Sequence, residues 1–227
     1  SDDVDVVDVP GTYSLTARPA DEQIALDGLL GVDDVGRPGP RPALVVVCVD
    51  ATQLARSCYL LIQAQELGAR CLVALTMVDE AGDAAPDSAA LARALACPVV
   101  PVVAGSGQGV DELRAAIGRA LAEPPPPVPL RWTPSPALVE KLARVRAAFP
   151  EAWPVSDGLA LWALASIGDD ELDHIPPAVR AAVAAAAPDA RDDDEAVLGR
   201  WAWLDAHVAP LAERPPDRRL TDRLDRV

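Results

Sequence analysis

Three short runs constrain the fold more than anything else in this chain. Val4-Asp5-Val6-Val7-Asp8-Val9-Pro10-Gly11 comes first, Val45-Val46-Val47-Cys48-Val49-Asp50 second, and Val73-Ala74-Leu75-Thr76-Met77-Val78-Asp79 third. Each is rich in β-branched and apolar residues and carries an acid at or near its end. Continuous apolar runs of this length suit strands buried on both faces, the habit of parallel sheets. Such strands bring the residues at their carboxyl ends to one rim, where open α/β sheets bind ligands. The runs therefore predict a parallel sheet with carboxylates along its binding edge.

Strands are predicted over 4–9, 44–49, 71–75 and 98–103. A helix over 53–67 places Leu54, Cys58, Leu61, Ile62 and Gln65 on one face, with Gly68 as its stop. A weaker helix falls near 88–96, and another over 109–121 carries Val110, Leu113, Ile117 and Leu121. Alternation of strands and helices predicts an α/β fold with flanking helices. The run Glu123-Pro124-Pro125-Pro126-Pro127-Val128-Pro129 cannot continue a helix and marks a linker at 123–130. Beyond it only helical signals appear, predicting a small all-α domain. Ser135-Pro136 opens a helix bearing Leu138, Leu142 and Val145. Residues 159–167 are apolar nearly all round, as in a buried helix. Asp192, Asp193 and Asp194 start a helix whose predicted apolar stripe is Val197, Trp201, Leu204 and Val208. Leu220, Leu224 and Val227 begin a last amphipathic turn.

A formal charge of -15 argues against a nucleic-acid partner. The four cysteines, Cys48, Cys58, Cys71 and Cys97, lie in apolar runs and are expected to be buried thiols without disulfides. No run approaches the roughly 18 apolar residues of a membrane span. His174 and His207 lack metal-ligand spacing and read as surface or interface residues. The five tryptophans are expected to pack the helical part.

The residues that can carry chemistry sit at the strand ends. Asp8 can hold a water on Mg²⁺, and the Gly11 N–H can approach a γ-phosphate closely because glycine has no Cβ. Asp79 of Thr76-Met77-Val78-Asp79 can accept two hydrogen bonds from the ring N–H and amino group of guanine, a donor pair that adenine lacks. The loop Val103-Ala104-Gly105-Ser106-Gly107-Gln108-Gly109 can offer backbone N–H groups to a base. Taken singly, these read equally as a strand-to-turn sequence, a helix-capping acid and a plain connection. In order and spacing they match the magnesium/γ-phosphate and guanine-reading motifs of a GTPase. No G-x-x-x-x-G-K-[ST] loop occurs, so the chain is expected to be a piece of a longer protein in which that loop precedes Ser1.

Longer stretches resemble the ferrous iron transport protein B family. Asp8-Val9-Pro10-Gly11-Thr12-Tyr13-Ser14-Leu15, followed by Asp21-Glu22, is similar to its switch II segment. Val49-Asp50-Ala51-Thr52-Gln53-Leu54, Gly107-Gln108-Gly109-Val110 and Arg219 to Val227 resemble further segments. The resemblance implies a GTPase-like domain at 1–122, a helical regulatory domain at 131–218 and the start of a juxtamembrane segment at 219–227. It implies GTP or GDP bound by Asp8, Gly11, Thr76, Asp79, Val103, Ala104 and Gly105, with switch II at Pro10, Thr12, Tyr13 and Ser14 and Mg²⁺ held by Asp8 through water. It also implies a membrane domain as partner, Fe²⁺ as transported ion not bound by these residues, and a place on the cytoplasmic face of the bacterial inner membrane; a homo-oligomer is left open. Thr76 stands where the family has Asn, and Val103 where it has Ser. No residue here is assigned as hydrolytic base, and residues 1–227 alone are expected to bind GTP very poorly. Two rival readings are a soluble GTPase of the ribosome-assembly kind and a non-catalytic interaction module.

Overall fold

The computed structural model describes residues 4–15, 20–31, 39–123, 128–151, 153, 156–166 and 176–212. Its sheet has three parallel strands, β1 (Val45–Asp50), β2 (Cys71–Thr76) and β3 (Val99–Pro101), in the order β1-β2-β3. Central β2 is buried from Cys71 to Leu75, which is why its sequence reads as unbroken apolar residues. The register runs from Val45↔Cys71 to Asp50↔Thr76 and from Val73↔Val99 to Leu75↔Pro101. Pro98 has no N–H to give the ladder, so β3 starts only at Val99.

The strand predicted over 4–9 is not formed. Residues 4–10 have no regular structure, and Val4, Val6, Val7 and Val9 are exposed. A strand is held by a partner's backbone, and among the described residues β1 pairs only with β2. β-propensity without a ladder does not fix a strand.

Helix α1 (Ala20–Leu30), unforeseen in the sequence, buries Leu26, Leu29 and Leu30. Next come α2 (Leu54–Glu66), the single turn α3 (Val78–Ala81), α4 (Ser88–Leu95) and α5 (Val110–Ala122). α2 packs on β1, α4 on β3, and α5 on β2 and β3. Gly68 at φ 81° ends α2 as predicted. The predicted α2 stripe is too narrow, however: Tyr59, Gln63 and Glu66 are buried as well. The sheet covers one side of this helix and the second half of the chain covers the other.

That second half comprises α6 (Pro136–Ala147), α7 (Asp157–Ser166), α8 (Pro177–Ala186), α9 (Ala190–His207) and α10 (Ala209–Ala212). The Ser135 hydroxyl caps α6 as expected and donates in turn to the Glu195 carboxylate of α9 at 2.9 Å. Of the predicted α9 stripe Leu204 and Val208 are buried, but Val197 is only half-buried and Trp201 is exposed, and Ala196 and Arg200 are buried instead. Buried residues from both halves form one continuous hydrophobic cluster. Arg131 braces the junction: it donates to the Ala94 carbonyl (2.9 Å) and Gln65 Oε1 (2.7 Å) and lies 4.5 Å from the Trp203 ring centre. His174, the arginines from Arg214 on and the predicted final turn lie outside the described residues.

Three cysteines are buried as expected, but Cys48 is exposed, because the outer face of β1 carries no helix among the described residues. Burial pushes the Cys58 thiol up to about 12, with Cys97 nearby adding to it. Burial likewise lifts Cys97 to about 12, outweighing the opposite pull of Arg131, and raises Cys71 as well. The reactive thiolate is therefore suppressed at neutral pH for all three. Alkylation of the native chain at pH 7.5, a value about neutral, should label Cys48 alone, with the others following only on unfolding. Mass-spectrometric mapping of the adducts checks this; early labelling of Cys71 or Cys97 would contradict the buried arrangement.

Candidate functional site

The carboxyl ends of the strands meet at one rim. β1 ends at Asp50, whose carboxylate accepts from the Thr52 N–H and hydroxyl, each at 2.7 Å, and so fixes the turn into α2. β2 ends beside it at Thr76, whose hydroxyl donates to the Val49 carbonyl at 3.2 Å. Met77 then adopts φ 56°, a left-handed conformation rare for a residue with a Cβ. The bend sends the chain straight into α3, leaving Asp79 exposed in its first turn.

After β3 the loop closes on itself. The Val103 N–H donates to the Gln108 carbonyl at 2.9 Å, and the Gly107 N–H to the Val103 carbonyl at 3.0 Å. Ala104 and Gly105 remain exposed at the tip. Gly109 sits at φ 81°, and a Cβ there would lie 2.0 Å from the Pro101 carbonyl oxygen. Glycine is what lets this loop return against β3.

Thr76, Asp79, Val103, Ala104 and Gly105 thus lie at the ends of neighbouring strands. Asp8 and Gly11 belong to the exposed, irregular stretch, and no heavy atom lies within 4 Å of where a Cβ on Gly11 would stand. The following residues are fastened to helices instead. The Thr12 hydroxyl donates to the Ser14 carbonyl at 2.8 Å, and the Ser14 hydroxyl to the Glu22 carboxylate at 2.5 Å. The Arg56 guanidinium lies 4.0 Å from the centre of the exposed Tyr13 ring. The Leu15 N–H donates to Gln63 Oε1 at 2.9 Å. Pro10 is half-buried. Gln63 was not singled out in the sequence, where no motif distinguishes a glutamine inside an apolar helix.

The rim is open. A cleft of about 410 Å³ lies elsewhere, between the linker end at 128–134, α6 and the start of α7, and none of the sequence-derived site residues lines it. Among the described residues no three His, Cys, Asp or Glu side chains converge as a metal-binding group.

Known proteins place this arrangement. The cytosolic domain of the T. maritima FeoB iron transporter in its GMPPNP form superposes with a TM-score of 0.71 at 22% identity, covering 90% of this chain and 79% of that one. The cytosolic domain of L. pneumophila FeoB gives 0.71 at 23% identity, covering 89% and 78%. The fold class is therefore a GTPase-like α/β layer followed by a helical bundle. In sequence, residues 1–117 match the family described as ferrous iron transport protein B, and the chain belongs to that family. The Fe(2+) transporter FeoB of Salmonella typhimurium (strain LT2) is 43% identical over 122 residues, and that of Escherichia coli (strain K12) 41%. Each alignment covers 51% of this chain and 15% of the relative's length.

Proposed function

We propose that these residues are the guanine-nucleotide-binding region of a ferrous iron transporter, in which GTP binding and hydrolysis regulate iron uptake. The observation that carries the reading is the shared rim: Asp79 after β2 and the 103–107 loop after β3 stand at adjacent strand ends, in a chain of this family. Asp79, exposed at the start of a helical turn, would accept from the guanine ring N–H and amino group. The loop tip at Ala104 and Gly105 would meet the base edge. The Thr76 hydroxyl is already engaged by Val49, which supports a role in holding β1 to β2 rather than a primary contact to the purine.

Residues 1–122 would form the nucleotide domain and 131–218 the regulatory one, joined to a membrane domain at the cytoplasmic face. The segment carrying Asp8, Pro10, Gly11, Thr12, Tyr13 and Ser14 would be ordered by the γ-phosphate and released on hydrolysis. Asp8, a hard oxygen donor in solvent, suits Mg²⁺, which typically takes one or two carboxylates besides water and phosphate oxygens. The ion, when bound, neutralises charge on the phosphates.

Titrating the intact gene product with a fluorescent GTP analogue tests this. Removing both carboxylate hydrogen bonds in Asp79→Ala should cost about 3 kcal/mol, roughly 100-fold in affinity, with little effect on weak adenine-nucleotide binding. Equal losses for the two purines would sink the assignment of Asp79.

A further inference from the structure

Met77 is the only methionine in the chain, and it stands at the rim. Its backbone is held on both sides. Thr76 before it is paired with Asp50 in the sheet register, and the Met77 carbonyl accepts from the Ala81 N–H at 2.9 Å. Between these ties φ is 56°, a conformation unfavourable for any residue with a Cβ. Packing does not repay it, because the side chain is 38% exposed and lies outside the buried core cluster. Backbone kept in such a conformation gathers at ligand sites.

The position offers a thioether. On the guanine-nucleotide reading, Asp79 takes the edge of the base, which leaves the flat face of the ring to a neighbouring residue. Sulfur is polarisable and packs favourably on aromatic rings. It is also oxidisable. A thioether has no proton to lose, so it stays reactive at neutral pH, whereas burial suppresses the thiolates of Cys58, Cys71 and Cys97.

We propose that Met77 covers the face of the bound guanine, and that its oxidation to the sulfoxide by hydrogen peroxide lowers nucleotide affinity. The proposal rests on the guanine-nucleotide reading for what lies against the sulfur. A sulfur lone pair forms a bond to one peroxide oxygen as the O–O bond breaks. The proton on that oxygen passes to the departing hydroxide, which leaves as water. Sulfur is oxidised by two electrons and the peroxide is reduced by two. The sulfoxide oxygen is an acceptor that the ring face cannot satisfy, so closing the base over it costs its hydration. The contact between sulfur and ring is lost as well.

The intact gene product tests this with hydrogen peroxide, a fluorescent GDP analogue and Met77→Leu. Peptide mass mapping should place one added oxygen on Met77, and saturating GDP should slow that addition several-fold, because the base shields the sulfur. Once thiols are re-reduced with dithiothreitol, the oxidised protein should bind the analogue at least about 3-fold more weakly, in line with loss of a sulfur–ring contact. Treatment with both methionine sulfoxide reductases, one for each epimer, should restore binding. Met77→Leu should keep through peroxide whatever affinity it starts with. Three results overturn the proposal while the nucleotide reading stands: a Met77 that resists oxidation or oxidises without loss of affinity, oxidation that bound GDP does not slow, or a Met77→Leu protein that loses affinity as the parent does. An untreated protein that binds no guanine nucleotide removes that reading, and this proposal with it.

Discussion

Arg200→Met is expected to destabilise the protein by about 3–5 kcal/mol, the largest effect of any single change considered. Arg200 and Glu66 bond at 2.8 Å and 2.9 Å with side chains 10% and 3% exposed, and Arg200 also reaches the Tyr59 hydroxyl at 3.4 Å. Removing the guanidinium leaves the Glu66 carboxylate buried with only the Trp132 indole as side-chain donor. A buried charge without its partner costs far more than the pair contributes. Replacing both partners, as in Glu66→Leu with Arg200→Met, should recover most of the loss. Denaturant melts of the two single variants and the double variant measure the coupling; additive losses would show that the ion pair is not what joins α2 to α9.

Gly109→Ala is expected to cost about 3 kcal/mol or more, lowering the unfolding midpoint by roughly 6–12 °C. Two penalties act together. The added methyl would stand 2.0 Å from the Pro101 carbonyl oxygen, and φ 81° is itself strained for alanine. Relief requires the 103–108 loop to swing away from β3, breaking the Val103–Gln108 bond. The variant should therefore lose nucleotide affinity beyond what its lower stability explains. Gly107→Ala is the control, because it shares a positive φ of 77° but has no atom within 4 Å of the added methyl. Equal midpoints for the two variants would remove the clash from the explanation.

What could be read from the sequence was what is locally encoded. β1, β2 and the helices 54–66, 88–95 and 110–122 lie within a few residues of their predicted bounds, and the helix 136–147 opens at Ser135-Pro136 as predicted, because apolar runs and caps are written in the local sequence. Other features were not legible. Residues 4–9 carry every strand signal yet stay irregular, since a strand also needs a neighbour. Arg200 sits on the buried side of α9 and displaces the predicted stripe, and the reason, Glu66, lies 134 residues away. Cys48 is exposed because one face of β1 is uncovered. At the rim, Thr76, Asp79 and Val103–Gly105 could be placed from strand ends alone. That Leu15 is anchored on Gln63 could not, because a glutamine in a helix reads as surface until the packing around it is known.

The uncovered strand has a practical consequence. Among the described residues β1 pairs on one side only, and its other edge offers a row of amides and carbonyls, with Val46 and Cys48 exposed beside it, which is a template for edge-to-edge growth between molecules. Residues 1–227 on their own should therefore self-associate as concentration rises, with intermolecular Cys48 cross-links trapping the oligomers under oxidising conditions. A lysine at position 46 and a serine at 48 would be the first changes to make when preparing this polypeptide for solution work.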